Sequence, residues 1–285
     1  MRKRSVNWKA VILAAVIVLA VAAAAVMAVR SMRSGRRSSA VSAGIAWLEA
    51  QEAADVDEVQ QRLLEQKQQR MNEEREKRRR ELTDGTIDVW TLFRDCAIMG
   101  DSRAVGFSYF DFMPEERVIA GAGWTIRDIE EHLQELKAVN PTIVFLCFGL
   151  NDTSIGIWQT PQEYAAEYDQ IIQHINRELP NTQVYVNSIL PARDPAFDTA
   201  EKWREIPDYS GAVEGLCAQK GYHFVNNDAI AEEHSDLWEI DGIHLLSTFY
   251  PYWAVNMMMA VYDTDTGTAA EAAETEETAE IVSEI

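Results

Sequence analysis

Hydrophobic and polar residues alternate along residues 96–262 with the two periods that distinguish strands from helices. Short apolar runs predict buried strands at residues 96–99, 117–120, 142–148, 184–190 and 222–226. Between these strands, apolar residues at helical spacing predict helices at residues 125–139, 161–179 and 209–220, and a closing helix at 248–262 follows the last strand. The order of these elements predicts an α/β domain at residues 84–262, in which helices cover both sides of a parallel sheet of about five strands.

Residues 10–29 form an uninterrupted stretch of Ala, Val, Ile, Leu and one Met, without a charged residue. A helix of this length spans roughly 30 Å, the thickness of the hydrocarbon layer of a bilayer. We therefore expect a single transmembrane anchor, preceded by a basic cytoplasmic tail at residues 1–9. Long C-terminal domains translocate largely regardless of flanking charge, so the body is expected outside the cytoplasm. The alternative is a cleaved signal peptide and a secreted protein, because small residues at 22–28 offer a processing site.

Two charged segments flank the predicted domain. Residues 30–83 are rich in Glu, Gln, Arg, Lys and Ala, and a sparse apolar stripe at Leu48, Val56, Val59 and Leu63 predicts a long exposed helical stalk. A coiled coil stays open as an alternative for this stalk, although the stripe is short and interrupted. Residues 263–285 contain no aromatic or basic residue and are expected to form a disordered acidic tail.

The net charge of −20 is distributed unevenly along the chain. Residues 1–82 carry +6, residues 83–262 carry −18, and residues 263–285 carry −8. Because nucleic acids are polyanions, an acidic body argues against a nucleic-acid partner. Three cysteines among 285 residues cannot form a disulfide framework, and no Cys/His spacing indicates a metal site. We expect neither a metal nor another cofactor.

Polar clusters follow three of the predicted strands, at residues 100–102, 121–123 and 149–152. The carboxyl ends of parallel strands share one edge of a sheet, where ligands bind, so these clusters are expected to lie close together. Ser102 lies at a strand-to-helix turn, whose backbone N–H groups can stabilise an oxyanion. Taken alone, Ser102 is better explained as a helix N-cap than as a nucleophile.

A serine hydroxyl needs a base, and His244 is the best candidate in this sequence. It belongs to the segment Asp-Gly-Ile-His at residues 241–244. The turn-forming residues of this segment allow Asp241 to fold back toward the imidazole and orient it, as the acid of a catalytic triad does. The alternative is that Asp-Gly marks an ordinary turn and that His244 is a capping or core histidine.

Together these segments resemble the four sequence blocks of the SGNH/GDSL hydrolase superfamily. The blocks occur here in order as Ile-Met-Gly-Asp-Ser at 98–102, Gly-Ala-Gly-Trp at 121–124, Gly-Leu-Asn-Asp at 149–152 and Asp-Gly-Ile-His at 241–244. The resemblance covers roughly residues 94–262. It implies a three-layer α/β/α sandwich with flavodoxin-like topology.

The same resemblance implies a role for each site residue. Ser102 would be the nucleophile, His244 the general base and Asp241 the residue that orients the base. The backbone N–H groups of Ser102 and Gly123 and the side-chain amide of Asn151 would form the oxyanion hole. No metal is needed for this chemistry.

Four further residues are candidates for the substrate pocket: Trp124, Trp158, Asp152 and Arg103. Trp124 departs from the family pattern, in which a small polar residue often follows the glycine. Asp152 and Arg103 are expected to form a polar pair at the edge of the site.

The resemblance implies a serine esterase that hydrolyses short-chain esters, above all acetyl esters, through an acyl-enzyme. An anchored, outward-facing domain suggests an acylated cell-envelope carbohydrate or a related small ester as the substrate. One alternative is an O-acyltransferase that uses the same site. A second alternative is a catalytically silent module that binds a glycan or a partner protein.

Overall fold

The computed structural model of the protein describes residues 18–31, 41–48 and 56–283. The chain divides into two compact units, Met1–Met71 and Asn72–Ile285. Within the first unit, residues 18–31 (α1) and 41–48 (α2) are exposed helices, and α3 (Val56–Thr83) begins there. The helical character expected of the stalk is present wherever residues 30–83 are described. Whether α3 pairs into a coiled coil stays a prediction.

No helix in the described part of the chain is long and apolar enough to cross a membrane. The basic tail at residues 1–9 and the first part of the expected anchor, residues 10–17, lie outside the described residues. The anchor therefore remains a prediction from the sequence.

The second unit is built on a five-stranded sheet with the order β2-β1-β3-β4-β5, and every pairing is parallel. The strands are β1 (Cys96–Gly100), β2 (Val118–Ala120), β3 (Ile143–Cys147), β4 (Gln183–Asn187) and β5 (His223–Val225). Gly100 at the end of β1 is level with Ala120 of β2 and Cys147 of β3. The turns that leave these three strands therefore start from the same edge. The predicted parallel sheet of about five strands is confirmed.

Helices surround this sheet on both faces. They are α4 (Gly106–Tyr109), α5 (Asp128–Glu131), α6 (Leu133–Val139), α7 (Leu150–Ile155), α8 (Pro161–Glu178), α9 (Ile206–Lys220), α10 (Asp228–Glu233) and α11 (Tyr250–Ser283). Short 3₁₀ turns occupy Val89–Thr91, Glu115–Arg117, Ala196–Asp198, Glu201–Glu205, Ser235–Leu237 and Ser247–Phe249.

Successive residues of a strand point to opposite faces, and each face of this sheet has its own hydrophobic core. Ala97 and Met99 of β1 belong to the core that α5, α6, α8 and α9 cover. Cys96 and Ile98 belong to the core that α3, α4, α10 and α11 cover. The central strands are buried on both sides, which explains their nearly continuous apolar sequences.

The predicted helix at residues 125–139 is divided into α5 and α6 at His132. Its first residues form a turn instead, because the Asp128 carboxylate accepts hydrogen bonds from the backbone N–H and the hydroxyl of Thr125. α6 ends at Val139 and is capped by Asn140, which takes the left-handed conformation with φ of 47°. By contrast, α8 begins at Pro161 as predicted. The structure adds its cap, the Thr160 side chain, which accepts the backbone N–H of Glu163.

The predicted tail needs a correction, because α11 does not end at residue 262 but continues to Ser283. Ala and Glu, which dominate the tail, are strong helix formers. Its first residues are also held in place: Arg75 Nε donates to both carboxylate oxygens of Asp263, and the hydroxyls of Thr264 and Thr266 donate to carbonyls one turn back.

The boundary expected between stalk and domain at residue 84 also needs a correction. The second unit begins at Asn72, so the last turns of α3 belong to it. Leu82 is 4% exposed and is part of the core beneath α11. The charged pattern of residues 30–83 does not predict this contact, because the contact depends on a single apolar residue, Leu82, at the end of the helix.

Candidate active site

The turn that carries Ser102 is shaped by the buried carboxylate of Asp101. One oxygen of Asp101 accepts the backbone N–H of Arg103 at 3.0 Å, which closes the turn around Ser102. The other accepts the N–H of Leu150 at 3.3 Å, at the start of α7. The backbone N–H of Asp101 in turn donates to the Cys147 carbonyl. A single side chain therefore joins the turn after β1 to the turn after β3.

The Asp241–His244 segment folds into a turn around its own carboxylate. Asp241 Oδ1 accepts the backbone N–H groups of Ile243 at 2.9 Å and His244 at 3.0 Å. Gly242 has a φ of 71°, a conformation that favours glycine. The turn places Asp241 Oδ2 2.6 Å from His244 Nδ1. Asp241 thus lies where it can orient the imidazole, as the sequence led us to expect.

The imidazole of His244 also reaches the serine. Its Nε2 lies 3.2 Å from Ser102 Oγ, although the two residues are 142 positions apart in the chain. Asp241, His244 and Ser102 therefore form one continuous hydrogen-bonded series. This series opens to solvent, since 47% of the His244 side chain and 41% of the Asp241 side chain are exposed.

Electrostatics decides the direction of these hydrogen bonds. Burial alone would raise the pKa of Asp241, but hydrogen bonds from the His244 ring and from the N–H groups of Ile243 and His244 hold it below its usual value. An ionised carboxylate only accepts, so a neutral His244 must carry its proton on Nδ1. Its Nε2 is then the acceptor for the hydroxyl proton of Ser102.

The other two polar clusters approach the same edge of the sheet. The backbone N–H of Gly121 donates to the Gly100 carbonyl at 3.2 Å, which holds the second cluster beside the serine turn. Asn151, in the first turn of α7, donates from Nδ2 to the Trp124 carbonyl at 2.9 Å. An amide nitrogen has two hydrogens, so Asn151 retains one for a bound oxyanion. Gly123 has a φ of 81°, and no described atom lies within 4 Å of the position that a Cβ would take.

Asp152 has a supporting position beneath these loops. It is fully buried, and its Oδ1 accepts the backbone N–H of Ile126 at 2.9 Å. Within the part of the chain that is described, its Oδ2 has no hydrogen-bond partner. Burial raises the pKa of Asp152 to about 7, against the opposing effect of the Ile126 N–H. The residue connects the loop after Trp124 to α7.

Three of the four expected pocket residues are buried in the interior, and these assignments need a correction. Arg103 and Asp152 do not pair with each other: Arg103 contacts Asp101 and the Leu190 carbonyl, whereas Asp152 contacts Ile126. Trp158 is 3% exposed and donates from its indole N–H to Glu167. The sequence pattern could not separate residues at the edge of the site from residues just beneath it.

Trp124 is the one expected pocket residue that keeps a partly exposed side chain. Its indole stacks on the ring of His132, with 4.0 Å between the ring centroids. Trp124 therefore forms part of the surface beside Gly123, which is consistent with contact to a substrate.

The segment at residues 190–193 contributes to the site and was not expected from the sequence. The Leu190 carbonyl accepts a hydrogen bond from the Arg103 guanidinium. The backbone N–H of Arg193 donates to the Gly242 carbonyl at 2.8 Å. The available signal was the pair of prolines at 191 and 195, which marks a loop and not the continuation of β4.

No group of three or more His, Cys, Asp or Glu residues in the described ranges is arranged to hold a metal ion. The site built from these residues consists of a hydroxyl, an imidazole, a carboxylate and several N–H donors. This set is suited to acyl transfer through a serine.

Comparisons with known proteins agree with the geometry. The model of the GDSL-like lipase/acylhydrolase family matches residues 99–250, which include every residue of the site. No curated protein sequence matches the chain.

Several solved structures are similar to this chain. A GDSL-like lipase from Bacteroides thetaiotaomicron is 14% identical, with 59% of this chain and 88% of that chain covered and a TM-score of 0.49. A GDSL-like lipase from Parabacteroides merdae is 18% identical, with 58% of this chain and 95% of that chain covered and a TM-score of 0.48. A lipase/acylhydrolase from Enterococcus faecalis is 16% identical, with 57% of this chain and 92% of that chain covered and a TM-score of 0.47.

Proposed function

This chain belongs to the GDSL-like lipase/acylhydrolase family and is therefore an SGNH-type hydrolase, and from this premise we propose that it cleaves esters through an acyl-enzyme on Ser102. The observation that carries the proposal is the hydrogen-bonded series Asp241–His244–Ser102, in which the base lies 3.2 Å from the hydroxyl. A nucleophile, its base and the residue that orients the base are the minimum set for this chemistry.

The reaction proceeds in two halves. Ser102 Oγ attacks the ester carbonyl while His244 Nε2 takes the hydroxyl proton. When the tetrahedral intermediate collapses, the C–O bond to the alcohol breaks, and the alcohol leaves with the proton from Nε2. A water molecule then attacks the acyl-serine, giving its proton to Nε2, and Ser102 recovers that proton as the acid leaves. Asp241 stabilises the imidazolium in both halves.

The negative charge on the carbonyl oxygen needs donors that are already in position. The backbone N–H groups of Ser102 and Gly123 and the second amide hydrogen of Asn151 supply them. The hydrogen bonds from Gly121 to Gly100 and from Asn151 to Trp124 support this assignment, because they join the donor loops to one another. Loss of one such donor typically lowers turnover about 100- to 1,000-fold.

The proposed substrate is a short-chain ester, above all an acetyl ester, on a cell-envelope carbohydrate. The four sequence blocks are joined without a long apolar insertion that would cover an extended acyl chain. The net charge of −18 on residues 83–262 disfavours strongly anionic substrates. A transmembrane anchor at residues 10–29 is part of the same proposal, with the second unit (Asn72–Ile285), which we call the catalytic unit, outside the cytoplasm.

The nucleophile is tested by Ser102→Ala in the full-length chain. We expect hydrolysis of p-nitrophenyl acetate and labelling by a fluorophosphonate to fall to background, because no other hydroxyl contacts His244 in the described structure. The matched control is Ser108→Ala, since Ser108 lies in α4 and its hydroxyl donates to the carbonyl of Val105, the residue before that helix, and not to His244. Full activity of Ser102→Ala would refute the assignment, and an unlabelled wild type would favour a silent binding module.

The substrate class is tested by acetate release from O-acetylated cell-wall polysaccharide, with a de-acetylated sample as the blank. We expect Ser102-dependent release of acetate, and slower cleavage of p-nitrophenyl esters as the acyl chain lengthens. Transfer of acetyl to an added sugar without release of acetate would identify an acyltransferase. Faster cleavage of long-chain esters would contradict the proposed acyl preference.

A further inference from the structure

Arg103 follows the proposed nucleophile in the chain but points into the protein, where it is 3% exposed. Its Nη1 donates to the Leu190 carbonyl at 2.6 Å, and its Nε lies 3.5 Å from the Asp101 carboxylate. Its own carbonyl accepts the hydroxyl of Tyr250 at 2.9 Å. The guanidinium thus connects the turn that carries Ser102 to the bridging segment, which we define as residues 190–193.

The other end of the bridging segment holds the turn that carries His244. The Arg193 N–H donates to the Gly242 carbonyl at 2.8 Å, and a Cβ on Gly242 would overlap the Arg193 carbonyl oxygen. Between the two ends, the indole N–H of Trp238 donates to the Pro191 carbonyl at 3.2 Å. The segment is therefore bound to Gly242 of the base-carrying turn and to Trp238, which forms a β-bridge with Leu245, the residue after His244.

The direct contact between Ser102 and His244 is too exposed to hold the two turns together. It is one hydrogen bond of 3.2 Å, and nearly half of the imidazole faces water. Because water can replace either partner of an exposed hydrogen bond, this bond constrains the distance between the two side chains only weakly. The contacts of Arg103 are buried and charge-assisted, and they are correspondingly stronger.

We propose that Arg103 is a positioning residue that acts through the bridging segment to fix the distance between Ser102 Oγ and His244 Nε2. The proposal rests on the proposed function, because that distance limits the rate only if these two atoms react. Arg103 itself touches neither the substrate nor the reacting atoms. A misplacement of about 1 Å at such a site can lower the rate about 100-fold.

The test compares Arg103→Met and Arg103→Lys with Arg117→Met in the full-length chain. Arg117 is a matched control, because its Nη1 also donates to a backbone carbonyl, that of Cys96, but at the opposite edge of the sheet. Fluorophosphonate titration counts the folded, competent sites in each preparation. Dividing the maximal rate by that count gives a kcat per titrated site, which excludes any loss that is due only to unfolding.

We expect kcat per titrated site to fall about 10- to 100-fold in Arg103→Met, with KM for p-nitrophenyl acetate nearly unchanged. Arg103→Lys should recover part of the loss, because an ammonium group retains a donor and the charge opposite Asp101. Arg117→Met should keep the wild-type value per site. A wild-type kcat per site in Arg103→Met would overturn the proposal, as would a loss confined to KM.

Two further measurements test the positioning role of Arg103. The first serves if Arg103→Met does not fold, and the second serves if the proposed function fails. Trp238→Phe removes the hydrogen bond to Pro191 and replaces the indole that the Arg193 guanidinium covers with a smaller ring, and we expect a smaller fall in kcat per site. Crystal structures of Arg103→Lys and Trp238→Phe report the Ser102 Oγ–His244 Nε2 distance without reference to activity. We expect this distance to exceed 3.5 Å in at least Arg103→Lys, and an unchanged distance in both variants would overturn the proposal.

Discussion

At the scale of single residues, the aspartates around this site differ because their surroundings differ. Asp241 is partly exposed and accepts three hydrogen bonds, which hold its pKa below the usual value despite the opposing effect of burial. Asp152 is fully buried and accepts one bond from Ile126, so burial dominates and raises its pKa to about 7. Asp241 is therefore suited to stabilise an imidazolium, whereas Asp152 is suited to join the loop after Trp124 to α7.

The raised pKa of Asp152 predicts a specific effect of pH on stability. A carboxyl with a higher pKa in the folded than in the unfolded protein binds more protons when folded, so its contribution to stability is lost as pH rises from about 4 through about 7. Relative to Asp152→Asn, the wild type should lose about 1.4 kcal/mol of unfolding free energy per pH unit in this window. Urea denaturation of both proteins between pH 5 and 8 measures the difference.

The control for this prediction is Asp169→Asn. The hydrogen bond from the Tyr222 hydroxyl is the main cause that lowers the pKa of Asp169. A lowered pKa contributes stability that is fully present above the unfolded value of about 4, so the effect of this substitution should be constant between pH 5 and 8. Parallel pH curves for wild type and Asp152→Asn would contradict the prediction.

At the scale of secondary structure elements, the serine turn depends on the contact between α4 and α11. Gly106 in α4 faces Tyr250 so closely that a Cβ would overlap the phenol oxygen. The rings of Phe107 and Tyr250 meet edge to face, with centroids 5.0 Å apart. Since the Tyr250 hydroxyl also donates to the Arg103 carbonyl, the start of α11 holds the residues that follow Ser102.

This contact predicts that Gly106→Ala is destabilising although alanine is the better helix former. The added methyl group would displace Tyr250, and overpacking of this kind costs about 1–3 kcal/mol. The control is Gly211→Ala in α9, where no described atom lies within 4 Å of the Cβ position. That substitution should stabilise the protein by about 0.4–1 kcal/mol. Urea denaturation should give effects of opposite sign, and equal effects would exclude the proposed overlap.

At the scale of the whole molecule, the catalytic unit includes residues that the charge pattern assigned to the stalk. The end of α3 contributes Leu82 to the core, and Arg75 forms an ion pair with Asp263 of α11. Arg75 and Asp263 are both partly exposed, so their ion pair contributes less than about 1 kcal/mol. Most of the stabilisation by this segment is therefore expected from burial of Leu82.

Two fragments of the chain test this assignment. The fragment 72–285 should exceed the fragment 84–285 in unfolding free energy by about 2–3 kcal/mol, because the shorter fragment lacks the buried Leu82 side chain. Leu82→Ala in the longer fragment should remove most of that difference, whereas Arg75→Ala should remove less than about 1 kcal/mol. Equal stability of the two fragments would return the boundary to residue 84.

Much of this fold could be predicted because its determinants are local. Apart from the division of residues 125–139 into two helices and the extension of α11 to Ser283, the predicted strands and helices differ from the observed ones mainly at their ends. The parallel sheet follows from their alternation. The segments with Ser102 and His244 were found because each combines a turn signal with a reactive side chain. The closeness of His244 to Ser102 was expected only because a serine nucleophile needs a base and because the family resemblance implies the pair, since His244 does not follow a predicted strand.

The sequence by itself determined the class of fold, the hydrolase family and the members of the Asp241–His244–Ser102 series, because hydrophobic period, turn residues and the order of the sequence blocks can all be read along the chain. The tertiary structure alone decided that Arg103, Asp152 and Trp158 lie beneath the site, that residues 190–193 join its two halves, and that α3 and α11 extend the catalytic unit. Burial and hydrogen bonding depend on what packs against a residue from distant parts of the chain, and local patterns do not contain that information.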